Sequence, residues 1–261
     1  MIWRMPALEG AVNLRDFGGY ATIDGRVVRR GRLYRSGSLA GLTPAAQQRF
    51  GELGIRLICD LRRPDEKLEA PTPIPERLAR RLEIPIDPGS AIAMRGRLGD
   101  SSLTLKERID FMVAINRELA RDHADDYARM FEALLELEEG AFLVHCSAGK
   151  DRTGFACALV LQALGVPEET VLEDYMLTNH HVGFEAWVVS LAARLDPEGR
   201  LSREELLALA GVRPEYLRAA YQAIEAEFEG VEHYIERAVG LDAAARALLQ
   251  SRLLEEPRTA G

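Results

Sequence analysis

Residues 145–154 read HCSAGKDRTG, between the apolar runs AFLV and FACALVLQALG. A thiol, a lysine, an aspartate and a guanidinium are thus gathered where a buried strand gives way to a buried helix, the crevice in which open α/β sheets hold ligands. A loop of that kind turns successive backbone N–H groups inward and adds the positive end of the helix dipole, a cradle for a dianion such as phosphate. Ser147, Ala148 and Gly149 are small enough for an anion to reach their backbone, and Gly149 accepts backbone angles that other residues resist. Cys146 stands at the mouth of the cradle, where a helix N-terminus and nearby cations favour the nucleophilic thiolate. Arg152 supplies a planar fork that grips two phosphate oxygens and stays charged. Charge spreads over the equatorial oxygens during phosphoryl transfer, so donors ringed around them stabilise the transition state.

The neighbours suit supporting roles. His145 can hold the loop and tune Cys146, and Thr153 can donate to the sulfur and help it leave. Asp151 can protonate the departing oxygen and then activate water. Lys150 can meet a second anionic group. Each residue also has a plainer reading: a satisfied structural histidine for His145, a favourable charge at a helix N-terminus for Asp151, solvent exposure for Lys150. No metal or cofactor is expected, because the loop and Arg152 provide the positive charge. The stretch AGKD is not a nucleotide-binding P-loop, and the chain has neither GxSxG nor HExxH.

The elements that must position this loop are legible around it. IRLICDL (55–61) and AFLVHC (141–146) read as buried strands of a parallel sheet, and RLEIPI (81–86) as a third. RTGFACALVLQALG is an almost wholly apolar helix closed by Gly165. Thr43 and Pro44 open a helix over 42–54, residues 101–137 carry two helices broken near Arg121-Asp122, and Pro167 starts another. The segment 20–39 reads as a hairpin with a two-residue type I′ turn at Asp24-Gly25, and PTPIPERLAR as a connection. From Val182 onward the pattern is helical, with Phe184, Trp187, Val188, Leu191 and Leu195 on one stripe. The expected architecture is α/β: a central, mainly parallel sheet flanked by helices, in one domain over residues 1–261 with a helical C-terminal part.

The chain has 261 residues and a formal net charge of −8, which argues against a general nucleic-acid binder. No apolar run approaches the length of a membrane helix, and the first twenty residues lack the apolar core of a signal peptide; a cytoplasmic location is expected. Cys59, Cys146 and Cys157 form no disulfide framework and no CxxC pair. Arg26, Arg29, Arg30, Arg32 and Arg35 crowd one segment, either a solvated hairpin face or a rim attracting anionic substrates.

HCSAGKDRTG resembles the signature loop of cysteine-dependent phosphatases of the protein-tyrosine phosphatase superfamily. The form with Lys-Asp before the arginine resembles a bacterial branch of atypical tyrosine and dual-specificity phosphatases. NLRDFGGY (13–20), YRSGSL (34–39), DLR (60–62) and DYMLTN (174–179) match further motifs of that branch, in its order. The resemblance implies a tyrosine-phosphatase-like fold, Cys146 as nucleophile, Arg152 as phosphate clamp, a phosphocysteine intermediate and no metal. It places the general acid at Asp151 inside the loop; the mobile-loop arrangement of the wider superfamily would use Asp87 in IPIDPGS instead. Lys150 resembles the loop lysine of phosphatases that act on phosphoinositides, so the expected substrates are phosphotyrosine (with phosphoserine and phosphothreonine) proteins or phosphoinositides. Asp16 and Arg15 would frame the entrance or hold a structural turn. The branch carries a helical lid, for which residues 183–229 are the candidate here, with ordinary core helices as the other reading. A sulfurtransferase of rhodanese type or a phospho-residue binding module are the rival functions.

Overall fold

The computed structural model describes residues 8–94 and 96–257. Short strands β1 (Arg15–Asp16), β2 (Val27–Val28) and β3 (Leu33–Ser36) come first, then helix α1 (Pro44–Gly51), β4 (Ile55–Asp60), α2 (Pro64–Glu69), β5 (Arg80–Glu83) and α3 (Gly89–Met94). Two long helices, α4 (Leu105–Asp122) and α5 (Ala124–Glu136), lead into β6 (Ala141–His145) and α6 (Asp151–Ala163). Six further elements close the chain: α7 (Glu168–Met176), α8 (Phe184–Leu195), α9 (Arg203–Ala210), α10 (Pro214–Phe228), α11 (Val231–Arg237) and α12 (Ala243–Leu253), followed by strand β7 (Leu254–Glu255).

Among the described residues the main sheet has the order β1-β3-β6-β4-β5, and all pairs are parallel except β1 with β3. The mixed α/β architecture with a mostly parallel sheet is as expected from the sequence. Strand β6 is buried along its whole length, and its side chains alternate between two cores as the pleat requires. Phe142 and Val144 face the larger core built with α4, α5 and α6, while Ala141 and Leu143 face a smaller one under α1, with Phe50, Ala46 and Leu39. In β4 a register shift between Ile55 and Leu57 lets Ile55 and Ile58 face the smaller core while Leu57 and Cys59 face the larger. Helix α6 is apolar all round because it is buried all round; Phe155 through Leu161 are at most 2% exposed.

Two expectations need correction. The turn after Thr22 is not type I′: only Gly25 has positive φ (90°), and Gly25 N donates to Thr22 O at 3.0 Å while Thr22 N donates to Arg26 O at 2.9 Å. That is a three-residue loop, a type I turn completed by a left-handed glycine. Nor does the hairpin extend to residue 39, since β3 leaves it for the parallel sheet beside β6 and β2 pairs instead with β7 at the chain's end. The span 183–229, open to two readings as lid or as core helices, includes α10, which packs as core. Tyr216, Leu217, Ala220 and Ile224 are each at most 1% exposed and join the core cluster that holds Ile115 and Leu119 of α4. Exposed apolar side chains instead lie at Val182, just before α8, and at Val189 on it. Among the described residues no helix is long and apolar enough to cross a membrane.

Leu217→Ala removes a fully buried side chain from α10 and is expected to cost about 2–5 kcal/mol in urea denaturation. A loss below about 1 kcal/mol would contradict the placement of α10 in the core.

Candidate active site

The loop Cys146–Lys150 leaves the carboxyl end of β6 and runs into α6. The ends of its neighbours surround it: Ser36 of β3 and Asp60 of β4 both lie in register with His145. What shapes the loop is where its carbonyls go. Gly149 O accepts from Asn13 Nδ2 at 2.7 Å and from Arg35 Nη2 at 3.0 Å, and Ser147 O accepts from Ser38 N at 2.8 Å. With the carbonyls tied outward, the amides turn inward. Gly149 N donates to Cys146 Sγ at 3.2 Å. Among the described residues none supplies an acceptor for the amides of Ser147, Ala148, Lys150, Asp151 or Arg152. Gly149 is required twice over: its φ is +67°, and a Cβ there would sit 2.4 Å from Gly37 N.

A buried ion network stands behind the loop. Arg35, fully buried, donates to Asp174 Oδ2 at 2.8 Å. Arg15 reaches the Asp174 backbone carbonyl at 2.9 Å and Asn13 Oδ1, and Tyr20 Oη donates to Asp174 Oδ1 at 2.9 Å. The matched stretches NLRDFGGY, YRSGSL and DYMLTN therefore meet on one side of Gly149. DLR has its own role: the buried Asp60 carboxylate takes Arg62 on both oxygens at 2.9 Å and Arg81 at 2.8 Å, and lies 3.5 Å from His145 Nε2. Burial opposes ionisation of Asp60, but Arg62 and His145 outweigh it and hold its carboxyl far below the usual carboxylate range. His145 lies fully buried over that carboxylate, and neither of its ring nitrogens makes a hydrogen bond among the described residues.

Asp16 does not frame an entrance. It is buried on β1, and its carboxylate accepts from Gly18 N at 2.7 Å and Gly31 N at 2.8 Å, which makes it the pin of a turn. Of the early arginines, Arg35 and Arg15 are buried in the network above, Arg26 pairs with Asp24, Arg29 donates to Leu254 O and Arg32 to Glu138 O, while Arg30 is exposed.

Arg152 points across the loop. Nη1 and Nη2 each meet a carboxylate oxygen of Glu66 at 2.8 Å, and Nη1 also lies 3.2 Å from Leu61 O and 3.3 Å from Ile86 O. Burial disfavours the guanidinium's charge, but the Cys146 sulfur and then Glu66 outweigh it and push its proton affinity up. Among the described residues no acceptor takes Nε, so one edge of the fork is clamped and the Nε–Nη2 edge is left for another anion. Glu66 also accepts from Ser147 Oγ at 2.7 Å and from Arg63 N at 2.9 Å. Its burial raises the pKa, Arg152 and Ser147 lower it, and the outcome is a carboxyl held down at about 2. The sequence reading missed Glu66. The signal was present: Pro64 at the first helical position and a glutamate two residues later mark a helix start just past a strand's carboxyl end.

Both candidate acids lie close by. Asp151 opens α6, with Lys150 Nζ 3.1 Å from its Oδ2 and Asn116 Nδ2 3.3 Å from its Oδ1. Asp87 follows Ile86, whose carbonyl touches Arg152, and is 3.8 Å from Arg63. Lys150 is buried rather than reaching outward, and donates to Gly211 O at 3.1 Å in the link between α9 and α10. Thr153 is fully buried, and its Oγ1 has no hydrogen-bond partner among the described residues.

Comparison with known proteins decides the family. Residues 6–255 match the model of the tyrosine phosphatase family. The chain belongs to it. A Cupriavidus necator protein named as a tyrosine-protein phosphatase is 33% identical over 241 residues, 91% of this chain and 85% of that one. The triple specificity protein phosphatase PtpB of Mycobacterium tuberculosis is 29% identical over 266 residues, 88% of this chain and 92% of that one. The solved structure of P. aeruginosa TpbA covers 77% of this chain and 96% of its own at 16% identity with a TM-score of 0.33, and the assignment does not lean on it. The protein is accordingly an enzyme, a cysteine-dependent tyrosine phosphatase, and the rhodanese and binding-module readings fall away.

Glu66→Gln tests the clamp. Because the folded-state pKa is lowered from 4.5 to about 2, the carboxylate stabilises the fold above pH 4.5 and that contribution fades as pH falls toward 2. The variant is expected to lose about 3 kcal/mol at neutral pH and to show a flatter melting temperature between pH 5 and pH 2.5 than the native chain. Parallel melting curves for the two proteins would contradict the clamp.

Proposed function

We propose that this phosphatase hydrolyses phosphotyrosine in proteins through a phosphocysteine intermediate. The observation that carries the reading is Gly149 N on Cys146 Sγ in a loop whose other amides have no acceptor among the described residues, beside an Arg152 whose second edge is open. Phosphate oxygens fit those amides and the Nε–Nη2 edge, while the sulfur faces phosphorus. As the S–P bond forms, the ester P–O bond breaks and the departing phenoxide takes a proton from Asp151. In the second step Asp151 takes a proton from water, the water oxygen bonds to phosphorus, and the S–P bond breaks to return the thiolate. Gly149 N, 3.2 Å from it, stabilises that sulfur. Asp87, anchored beside Arg63 on the far side of Arg152, is the alternative acid.

The name of PtpB supports broad specificity toward phosphorylated proteins. A phosphoinositide substrate would need a cation for its second phosphate, and Lys150 is spent on Gly211 O and Asp151. This favours phosphoprotein over lipid.

Cys146→Ser is expected to lower turnover by more than about a thousandfold while leaving phosphate binding measurable by calorimetry; normal hydrolysis by the variant would overturn the mechanism. With the native chain, a phosphotyrosine peptide is expected to release phosphate faster than a phosphoinositide in vesicles, and the reverse order would move the substrate class to lipids.

Asp151→Asn is expected to slow a phosphotyrosine peptide by about 10²–10⁴-fold and an aryl phosphate with an acidic phenol far less, because only the poor leaving group needs the proton. Equal losses for both, with the selective loss appearing instead in Asp87→Asn, would transfer the acid role to Asp87.

A further inference from the structure

Asp151 is met from outside its own loop by one neutral donor. Asn116 lies on α4, thirty-five positions earlier in the chain, and is fully buried. Its amide orientation follows from its surroundings. Nδ2 donates to Met112 O at 2.9 Å and to Asp151 Oδ1 at 3.3 Å, and two acceptors facing one atom require the NH2 group there. Oδ1 is then left buried with no partner among the described residues, an arrangement that ordinarily costs about 1–3 kcal/mol. A leucine of similar volume would avoid that cost. A core residue kept at the expense of stability, with its amide turned to the signature loop, marks a functional placement.

We propose that Asn116 is a positioning residue for proton transfer: it holds Asp151 Oδ1 as an acceptor, so that Oδ2 is the oxygen that carries the proton. The inference rests on the reading of Asp151 as the general acid. An amide N–H can only donate, and a proton on Oδ1 would face it head-on; the proton goes to Oδ2. Lys150, which contacts Oδ2, already has Gly211 O as a second acceptor, so it can shift there when Oδ2 is protonated. The remaining groups facing Asp151 leave this division intact. Arg152, next along α6, is turned to Glu66. Tyr216 of α10 spends its hydroxyl on Ala208 O at 2.9 Å. Tyr175 of α7, like Tyr216, has its phenol pushed up first by burial and then by the charge of Asp151, and makes no hydrogen bond to it. Asn116 thus fixes the carboxylate's rotation from a rigid helix, and a small misplacement of a reacting group can cost on the order of a hundredfold in rate.

The test is Asn116→Leu, alone and combined with Asp151→Asn, measured on a phosphotyrosine peptide and on an aryl phosphate with an acidic phenol. The expected result is a kcat on phosphotyrosine lowered about ten- to hundredfold, a much smaller change on the activated ester, an unchanged or raised melting temperature, and no added loss in the Asp151→Asn background. If the leucine variant does not fold, Asn116→Ser, which withdraws the reach without an apolar swap, carries the same comparison. Equal losses on both substrates, a loss that persists in the Asp151→Asn background, or no loss at all overturns the inference. An Asp151→Asn variant that is itself unselective overturns the acid assignment on which it rests.

Discussion

The carbonyl of Gly149 fixes the rest of the site. Two side chains, Asn13 and Arg35, hold it on the outer side of the loop, and Asp174 balances the charge of the buried Arg35. An unpaired guanidinium at that depth would be prohibitively costly, so the ion pair and the loop are formed together or not at all. With that carbonyl pinned, the Lys150 N–H of the same peptide plane is turned the other way, and the Ser147 carbonyl, held by Ser38 N, does the same for the Ala148 N–H. The cradle is therefore a consequence of contacts made behind it. Residues 13, 35 and 174 belong to distant parts of the chain, and their common task explains why the matched motifs recur around a loop they do not touch on its ligand side.

The second constraint is the division of Arg152 into two edges. Glu66 occupies one, with both oxygens, and Leu61 O and Ile86 O crowd the same nitrogen. A guanidinium left to itself would sample many rotamers, and a fork already aimed spares that entropy when phosphate arrives. Since Glu66 stays ionised far into the acid range, the aim is insensitive to pH over the conditions in which a phosphatase works. Ser147, hydrogen-bonded to the same carboxylate, ties the loop's first turn to the clamp.

Much of this was legible in the sequence, and the failures share a cause. Strands β4 and β6 and helix α6 announce themselves because they are buried on both faces, which leaves a continuous apolar run. The types and spacing of Cys146, Gly149 and Arg152 state the chemistry because a single loop carries all three. Glu66 and Asn116 reach the loop from 86 and 35 residues away, and no local pattern encodes such a meeting. Asp16 was open to two readings, entrance or turn, and its contacts decide for the turn; Lys150, read as meeting a second anion or solvent, has its ammonium buried against Gly211. The amphipathic pattern of α10 likewise reports one buried face without saying whether its neighbour is a core or a cleft; packing against α4 decides that.

A crystal soaked in vanadate reads out whether a sulfur and a guanidinium face one anion inside a ring of amides. The predicted result is vanadium bonded to Cys146 Sγ, its equatorial oxygens on the loop amides and on the Nε–Nη2 edge of Arg152, with Glu66 still on the opposite edge. Vanadate bound elsewhere, or seated on Arg152 only after Glu66 has been driven off while the sulfur remains out of reach, would contradict it.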